Sequence, residues 1–146
     1  MIEYKINIAS KIDLLEHLEK CDHRFIPPLS DRVILKDYSS KLYEKATTFE
    51  AWNSTELVGV ISVYLNDEDK KSGFISNVSV LEDFEKKGIA GRLLEMTKDH
   101  ASNIGFSKLS LEVHGENFHA INFYQRYGFD KTNCDKTVIK MNCILN

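Results

Sequence analysis

The feature that most constrains this chain is a change of hydrophobic period within one short stretch. Phe74, Val78 and Val80 sit on alternate positions, as a strand requires, whereas Leu93, Leu94, Met96 and Thr97 follow helical spacing. Between them runs Glu85-Lys86-Lys87-Gly88-Ile89-Ala90-Gly91-Arg92. Strand, glycine loop and helix therefore form one unit. The first turn of a helix carries N–H groups without intrahelical partners and the positive end of the macrodipole, so it favours phosphate oxygens. Gly88, Ala90 and Gly91 have little or no side chain and let an anion approach the main chain. Lys86, Lys87 and Arg92 add positive charge. The stretch Lys86, Lys87, Gly88, Ile89, Ala90 and Gly91 reads as a pyrophosphate site.

Other nucleotide loops share this outline. A Walker loop ends in Gly-Lys-Ser or Gly-Lys-Thr, and here Gly91 is followed by Arg92-Leu93. A Rossmann turn places its first glycine close behind the strand, whereas Leu81 to Lys87 intervene after Val80. Glu112 stands roughly where a ribose-binding acid would fall, so a dinucleotide-binding protein stays open as an alternative.

Downstream, Asn117, Ala120, Tyr124, Gly128 and Phe129 match Asn-x-x-Ala-x-x-x-Tyr-x-x-x-Gly-Phe, and Gly88 and Ala90 match the end of Gln/Arg-x-x-Gly-x-Gly/Ala. In these motifs the chain resembles the GNAT-type N-acetyltransferases, strongly over its second half and hardly at all over its first. Glu85 departs from the pattern, putting a negative group where the family carries Gln or Arg. The resemblance implies an α/β fold with a mixed sheet of about six to seven mostly antiparallel strands, a central parallel pair that splays, and about four flanking helices. It also implies acetyl-CoA as cosubstrate, with its pantetheine arm paired to the main chain of Val78, Ser79 and Val80. The residue-level alternative is that Val78 and Val80 are simply core positions.

Asn117 and Tyr124 are seven apart, about 20° from alignment on one helix face, with Ala120 as a small spacer between them. A departing thiolate needs a proton, and a phenol with a reference pKa near ~10 keeps one at neutral pH. Tyr124 is the expected acid, against the alternative of a packed core tyrosine. Asn117 reads equally as a coenzyme contact and as an N-cap. On the strand before it, Leu109, Leu111 and Val113 share one face, leaving Ser110, Glu112 and His114 on the other. Some relatives that acetylate protein N-termini carry a Glu five residues before the Asn as a base acting through water. Glu112 has that spacing and is the candidate base; its alternative is a solvated strand glutamate. Ser79 and Cys134 show no adjacent His and acid in the sequence, so direct attack of an amine on the thioester is expected. A non-catalytic acyl-CoA-binding sensor is the competing reading, and Glu85 is the feature that favours it.

The remaining chain sets the frame. At 146 residues, with 42% hydrophobic and 28% charged residues, the chain has the size of one domain spanning 1–146. A net charge of −3 without a basic stripe argues against nucleic acid or an anionic membrane as partner. The start lacks a signal-peptide core and no apolar run approaches membrane-helix length, so a cytoplasmic protein is expected. Nothing in the sequence reports oligomeric state, a homodimer included. Cys21, Cys134 and Cys143 match no zinc spacing, and Cys21-Asp22-His23 lacks further ligands, so no metal is expected.

Ile2, Tyr4, Ile6 and Ile8 alternate as a first strand; Ser10 caps a helix carrying Leu14, Leu15 and Leu18. Pro27-Pro28 forbids helix and sets an extended course, and a second helix follows through Tyr38, Leu42 and Ala46. Thr47 to Asn53 and Leu57 to Leu65 form a hairpin, followed by a charged turn over 66–73. Beyond the central helix come a strand over 107–113, a helix over 117–127 and a strand over 137–145. A helix between the 74–80 and 107–113 strands makes them parallel neighbours. The acceptor pocket is expected from the 21–46 segment and the 66–73 turn, with Arg24, Phe25 and the proline pair in its wall. The acceptor is a small amine, such as an amino sugar or polyamine, or a peptide N-terminus.

Overall fold

In a computed structural model, which describes residues 1–134 and 137–145, the alternating and helical segments become one seven-stranded sheet with helices on both faces. The chain runs β1 (Ile2–Ile6), α1 (Lys11–Cys21), α2 (Leu35–Lys45), β2 (Thr47–Asn53), β3 (Glu56–Tyr64), β4 (Ser72–Val80), α3 (Ile89–Asn103), β5 (Lys108–His114), α4 (Phe118–Arg126), β6 (Asp130–Cys134) and β7 (Val138–Ile144). Strand order is β1-β2-β3-β4-β5-β7-β6. Every neighbouring pair is antiparallel except β4 with β5, the parallel pair that the intervening helix demands. This is the expected mixed sheet, and its single short parallel ladder is not the doubly wound sheet of a dinucleotide fold.

Local chemistry explains the boundaries. Ser10 caps α1 in a capping box, its hydroxyl accepting the Asp13 N–H and the Asp13 carboxylate accepting the Ser10 N–H. The first strand stops at Ile6 rather than Ile8, because Asn7 takes φ 57° and the N–H groups of Ile8 and Ala9 turn to the buried Glu50 carboxylate. That carboxylate also accepts from Thr48 Oγ1 and Trp52 Nε1, so its burial is compensated. Phe25 to Pro28 avoids helix, and short 3-10 turns at Asp22–Arg24 and Leu29–Asp31 flank it. β6 carries no apolar alternation in Asp130-Lys131-Thr132-Asn133 and exists as an edge strand because β7 offers it a ladder.

Two packed layers hold the sheet. β3 is buried on both faces along Leu57 to Val63, which marks it as central. On one face α1 and α2 bury Leu14, Leu18 and Leu42 against Trp52, Leu57 and Val60. On the other, Leu93 and Leu94 of α3 and Ile121 of α4 join Phe49, Ile61, Leu109 and Met141. None of the described helices is long and apolar enough to cross a membrane.

Candidate functional site

β4 and β5 pair only at Ser72↔Lys108, Gly73↔Leu109 and Phe74↔Ser110, although both strands continue well beyond. The cause lies on the other edge of β4. Ser62 opposes Asn77 and Val63 opposes Ile75, so Ser76 is an extra residue without an opposite number. Such a bulge bends its strand and sharpens its twist, and this one falls just past the last β4–β5 pair. The sheet therefore opens. Leu81 N–H donates to Val58 O at 2.8 Å, which with the register places Ser79 in a hydrogen-bonded pair with Val60. Alternation then turns the N–H and C=O of Val78 and Val80 away from β3, into the gap.

A cavity of about 460 Å³ fills that opening. Val78, Ser79 and Val80 line one side, Asn117, Ala120 and Tyr124 another, and Lys86, Gly88, Ile89, Ala90 and Gly91 its mouth. Lys87 is not among the lining residues. Arg92 also turns away, its guanidinium stacking 5.8 Å from the Tyr4 ring centroid, so it screens nothing at the mouth. Lys86 and Gly88 both adopt left-handed backbone, φ 61° and 79°. Gly88 is the N-cap of α3 and supplies no side-chain cap; the intrahelical ladder starts with Arg92 N–H donating to Gly88 O at 3.0 Å. The amides of Ile89, Ala90 and Gly91 thus have no helical acceptor and stand at the cavity mouth, an arrangement that favours an anion.

Gly91 has a reason of its own to be glycine, beyond the approach of an anion. A Cβ there would stand 2.0 Å from Tyr127 Oη and 2.8 Å from Tyr127 Cζ. Gly88, by contrast, has open space around it and is needed for its φ.

Asn117 caps α4, its Oδ1 accepting the Ala120 N–H at 3.2 Å, which leaves its amide nitrogen to the cavity. Tyr124 packs beside Phe123 and Phe129, and its hydroxyl has no hydrogen-bond partner among the described residues. Burial alone pushes its phenol well above the ordinary tyrosine range, because the interior disfavours phenolate. Glu112 is exposed and borders a second cavity, of about 180 Å³, on the α1 and α2 side of the opening. Arg24, Phe25, Val78, Asn117, Ala120 and Tyr124 line both cavities, so the two meet beside Tyr124.

The α1 side supplies groups that no local pattern announced. The Arg24 guanidinium bonds the Glu85 carboxylate and lies 3.5 Å from Glu82, so the acid at the departed motif position is neutralised inside the protein. Glu85 is the main reason that Arg24 is held above its ordinary pKa. Ser79 has a histidine neighbour from far away in sequence: His17 Nε2 lies 2.9 Å from Ser79 Oγ. His17 Nδ1 faces Leu57 O at 2.9 Å, and a carbonyl only accepts. Nε2 therefore accepts from the Ser79 hydroxyl, and no carboxylate stands behind the ring. Burial lowers His17 to about 4. Cys21, 3.6 Å from His17 Nε2, is pushed up by burial to about 11 and stays a thiol. Phe123 and Arg126 also line the larger cavity, the guanidinium 5.9 Å from the Phe123 ring centroid. Cys134 is the last residue of β6.

A mixed sheet split at its parallel pair, with an uncapped helix start at the mouth of the split, defines the class: a GNAT fold. Residues 12–129 match the model of the acetyltransferase (GNAT) family, and the chain belongs to that family. A Bacillus subtilis protein described as uncharacterized N-acetyltransferase YdgE is 31% identical over 87 residues, covering 56% of this chain and 55% of that protein. The chain thus aligns with about half the length of that curated relative. Among solved structures, the ribosomal-protein-S18-alanine N-acetyltransferase of Escherichia coli superposes with TM-score 0.80 at 18% identity, covering 100% of this chain and 95% of that one. The PaiA N-acetyltransferase of Thermoplasma acidophilum, in complex with coenzyme A, superposes with TM-score 0.76 at 16% identity, covering 97% and 99%. At these identities the likeness is one of fold.

Proposed function

We propose that the chain, as one domain over 1–146, transfers an acetyl group from acetyl-CoA to a primary amine. The observation that carries this is the split between β4 and β5, which exposes unpaired main chain of Val78 and Val80 in line with the free amides of Ile89, Ala90 and Gly91. The amides and Lys86 would hold the pyrophosphate, and the β4 edge would orient the pantetheine arm and thioester. Asn117, through its uncommitted amide nitrogen, would add a contact.

The amine lone pair attacks the thioester carbonyl carbon, a C–N bond forms and the C–S bond breaks. The sulfur leaves with the bonding pair and takes a proton from Tyr124, whose half-buried phenol holds it well past neutral pH. The proton lost by the amine passes to Glu112 through water, since this carboxylate borders the smaller cavity from which the amine would enter. The phenol is recharged from solvent after release. Ser79 is no nucleophile in this scheme, because its His17 partner lacks an orienting acid and is itself a weak base. The sensor reading rested on Glu85, and its pairing with Arg24 removes the repulsion that favoured that reading.

The test is thiol release from acetyl-CoA across a panel of amines and peptides, alongside an NMR titration with coenzyme A. Turnover with at least one amine, and shifts at the Ile89, Ala90 and Gly91 amides, are expected. Unmoved amide resonances or absence of thiol release across the panel would refute it.

A further inference from the structure

Resting on that activity, we infer that the acceptor is a small primary amine that also carries a carboxylate, held by Arg32 with its amine toward Glu112. The smaller cavity is bordered by three formally charged side chains, Arg24, Arg32 and Glu112. Arg24 is satisfied by Glu85 and Glu82. Arg32 and Glu112 make no ion pair with any described residue. The cavity therefore presents one cation and one anion that are tied up in no ion pair, Glu112 having only the cross-strand Lys140 opposite it in the β5–β7 register, and such a pair complements a zwitterion.

A polyamine and an amino sugar each leave a charge unmatched. A polyamine would bring more positive charge against Arg32, and a neutral amino sugar would leave the guanidinium without a partner. A carboxylate instead meets the planar fork of arginine with two parallel hydrogen bonds. The amine end has its own reason to face the other way. Glu112 shares the cavity with Tyr124 and Asn117, the residues that join it to the larger cavity, so an amine beside Glu112 stands where the two spaces meet. Arg32 enters from the segment after the Leu29–Asp31 turn, on the α2 side, where it lies near enough to Tyr38 to bias its phenol. The Tyr38 hydroxyl is bonded to Ser76, so the bulge that opens the sheet also helps to shape this wall. At about 180 Å³ the space suits a free amino acid or a short ω-amino acid.

The experiment measures thiol release by the full chain with matched pairs: glycine and glycinamide, 4-aminobutyrate and butylamine, with phosphoethanolamine and ethanolamine as a phosphate arm. A kcat/KM at least tenfold higher for a carboxylate than for its uncharged partner is expected. Arg32→Gln, on an exposed side chain, should raise KM for the carboxylate substrate on the order of 10- to 100-fold, the range for losing a charge-assisted pair. Turnover of the uncharged partner and affinity for coenzyme A should not move. Equal turnover within the carboxylate pairs, turnover confined to peptides, polyamines or the phosphate arm, or an Arg32→Gln enzyme that keeps its preference overturns the acceptor assignment while leaving acetyl transfer in place. Absence of thiol release with every amine overturns the activity itself.

Discussion

Replacing Gly91 by alanine is the sharpest test of how the site is built, because the change adds one methyl at a helix position whose backbone would welcome it. The new Cβ would lie 2.0 Å from Tyr127 Oη, and ordinary contact begins near 3.4 Å. The phenol must therefore recede by 3.4 − 2.0, about 1.4 Å. Its main chain is held in place, so the ring itself must turn toward the cavity it lines. Tyr127 N–H donates to Tyr124 O at 3.0 Å, Lys98 Nζ donates to Tyr127 O at 2.7 Å, and the ring packs 5.0 Å from Phe123. Overpacking of this kind costs about 1–3 kcal/mol, offset by up to ~1 kcal/mol of helix propensity gained over glycine. With the full offset, a net loss of up to about 2 kcal/mol corresponds to a fall in Tm of up to roughly 8 °C for a chain of this size. Because Tyr127 lines the larger cavity, coenzyme A affinity should fall as well. Thermal unfolding of Gly91→Ala, Tyr127→Leu and the double variant closes a cycle in which the alanine becomes harmless once the ring is gone. Gly88→Ala should also lose about 1–2 kcal/mol, from its left-handed φ, and Tyr127→Leu should not rescue it. A raised Tm in Gly91→Ala alone, or an effect of the alanine that is the same with and without the Tyr127 ring, would refute this account of the glycine.

Three further outcomes follow from the site. Tyr124→Phe should lower kcat by about 10²-fold or more and leave coenzyme A affinity near that of the parent; because burial raises the phenol, the parent's kcat should show no alkaline loss of this acid up to pH ~10, the ordinary tyrosine value. His17 is depressed in the folded state, so its contribution is complete above the unfolded value of 6.5 and is lost as pH falls toward about 4. Denaturant unfolding at pH 7 and pH 4 should show about 3 kcal/mol of acid destabilisation from this group, which His17→Gln abolishes. Arg24→Ala should uncover the Glu85 charge and weaken coenzyme A binding severalfold at low salt, and Glu85→Gln should restore it; calorimetric titration of the single and double variants reads this directly.

Much of the framework was legible before any coordinates, because it depends on neighbours in sequence. The period change from Val80 to Leu93, the Ser10 cap and the Asn117 cap are decided within a few residues by dihedral preferences and nearby N–H groups. The parallel pairing of β4 with β5 followed from the helix between them. Tertiary structure decided the rest, at separations no local pattern spans. Arg24 meets Glu85 from 61 residues away and His17 meets Ser79 from 62. The unmatched Ser76 that opens the sheet is a property of register against β3, not of the serine. β6 is a strand only because β7 lies beside it. Sequence thus determined which groups could serve an acyl donor, since their chemistry travels with the residue. Folding alone determined which charges were cancelled and which were left for a ligand, since that balance depends on distances between remote side chains.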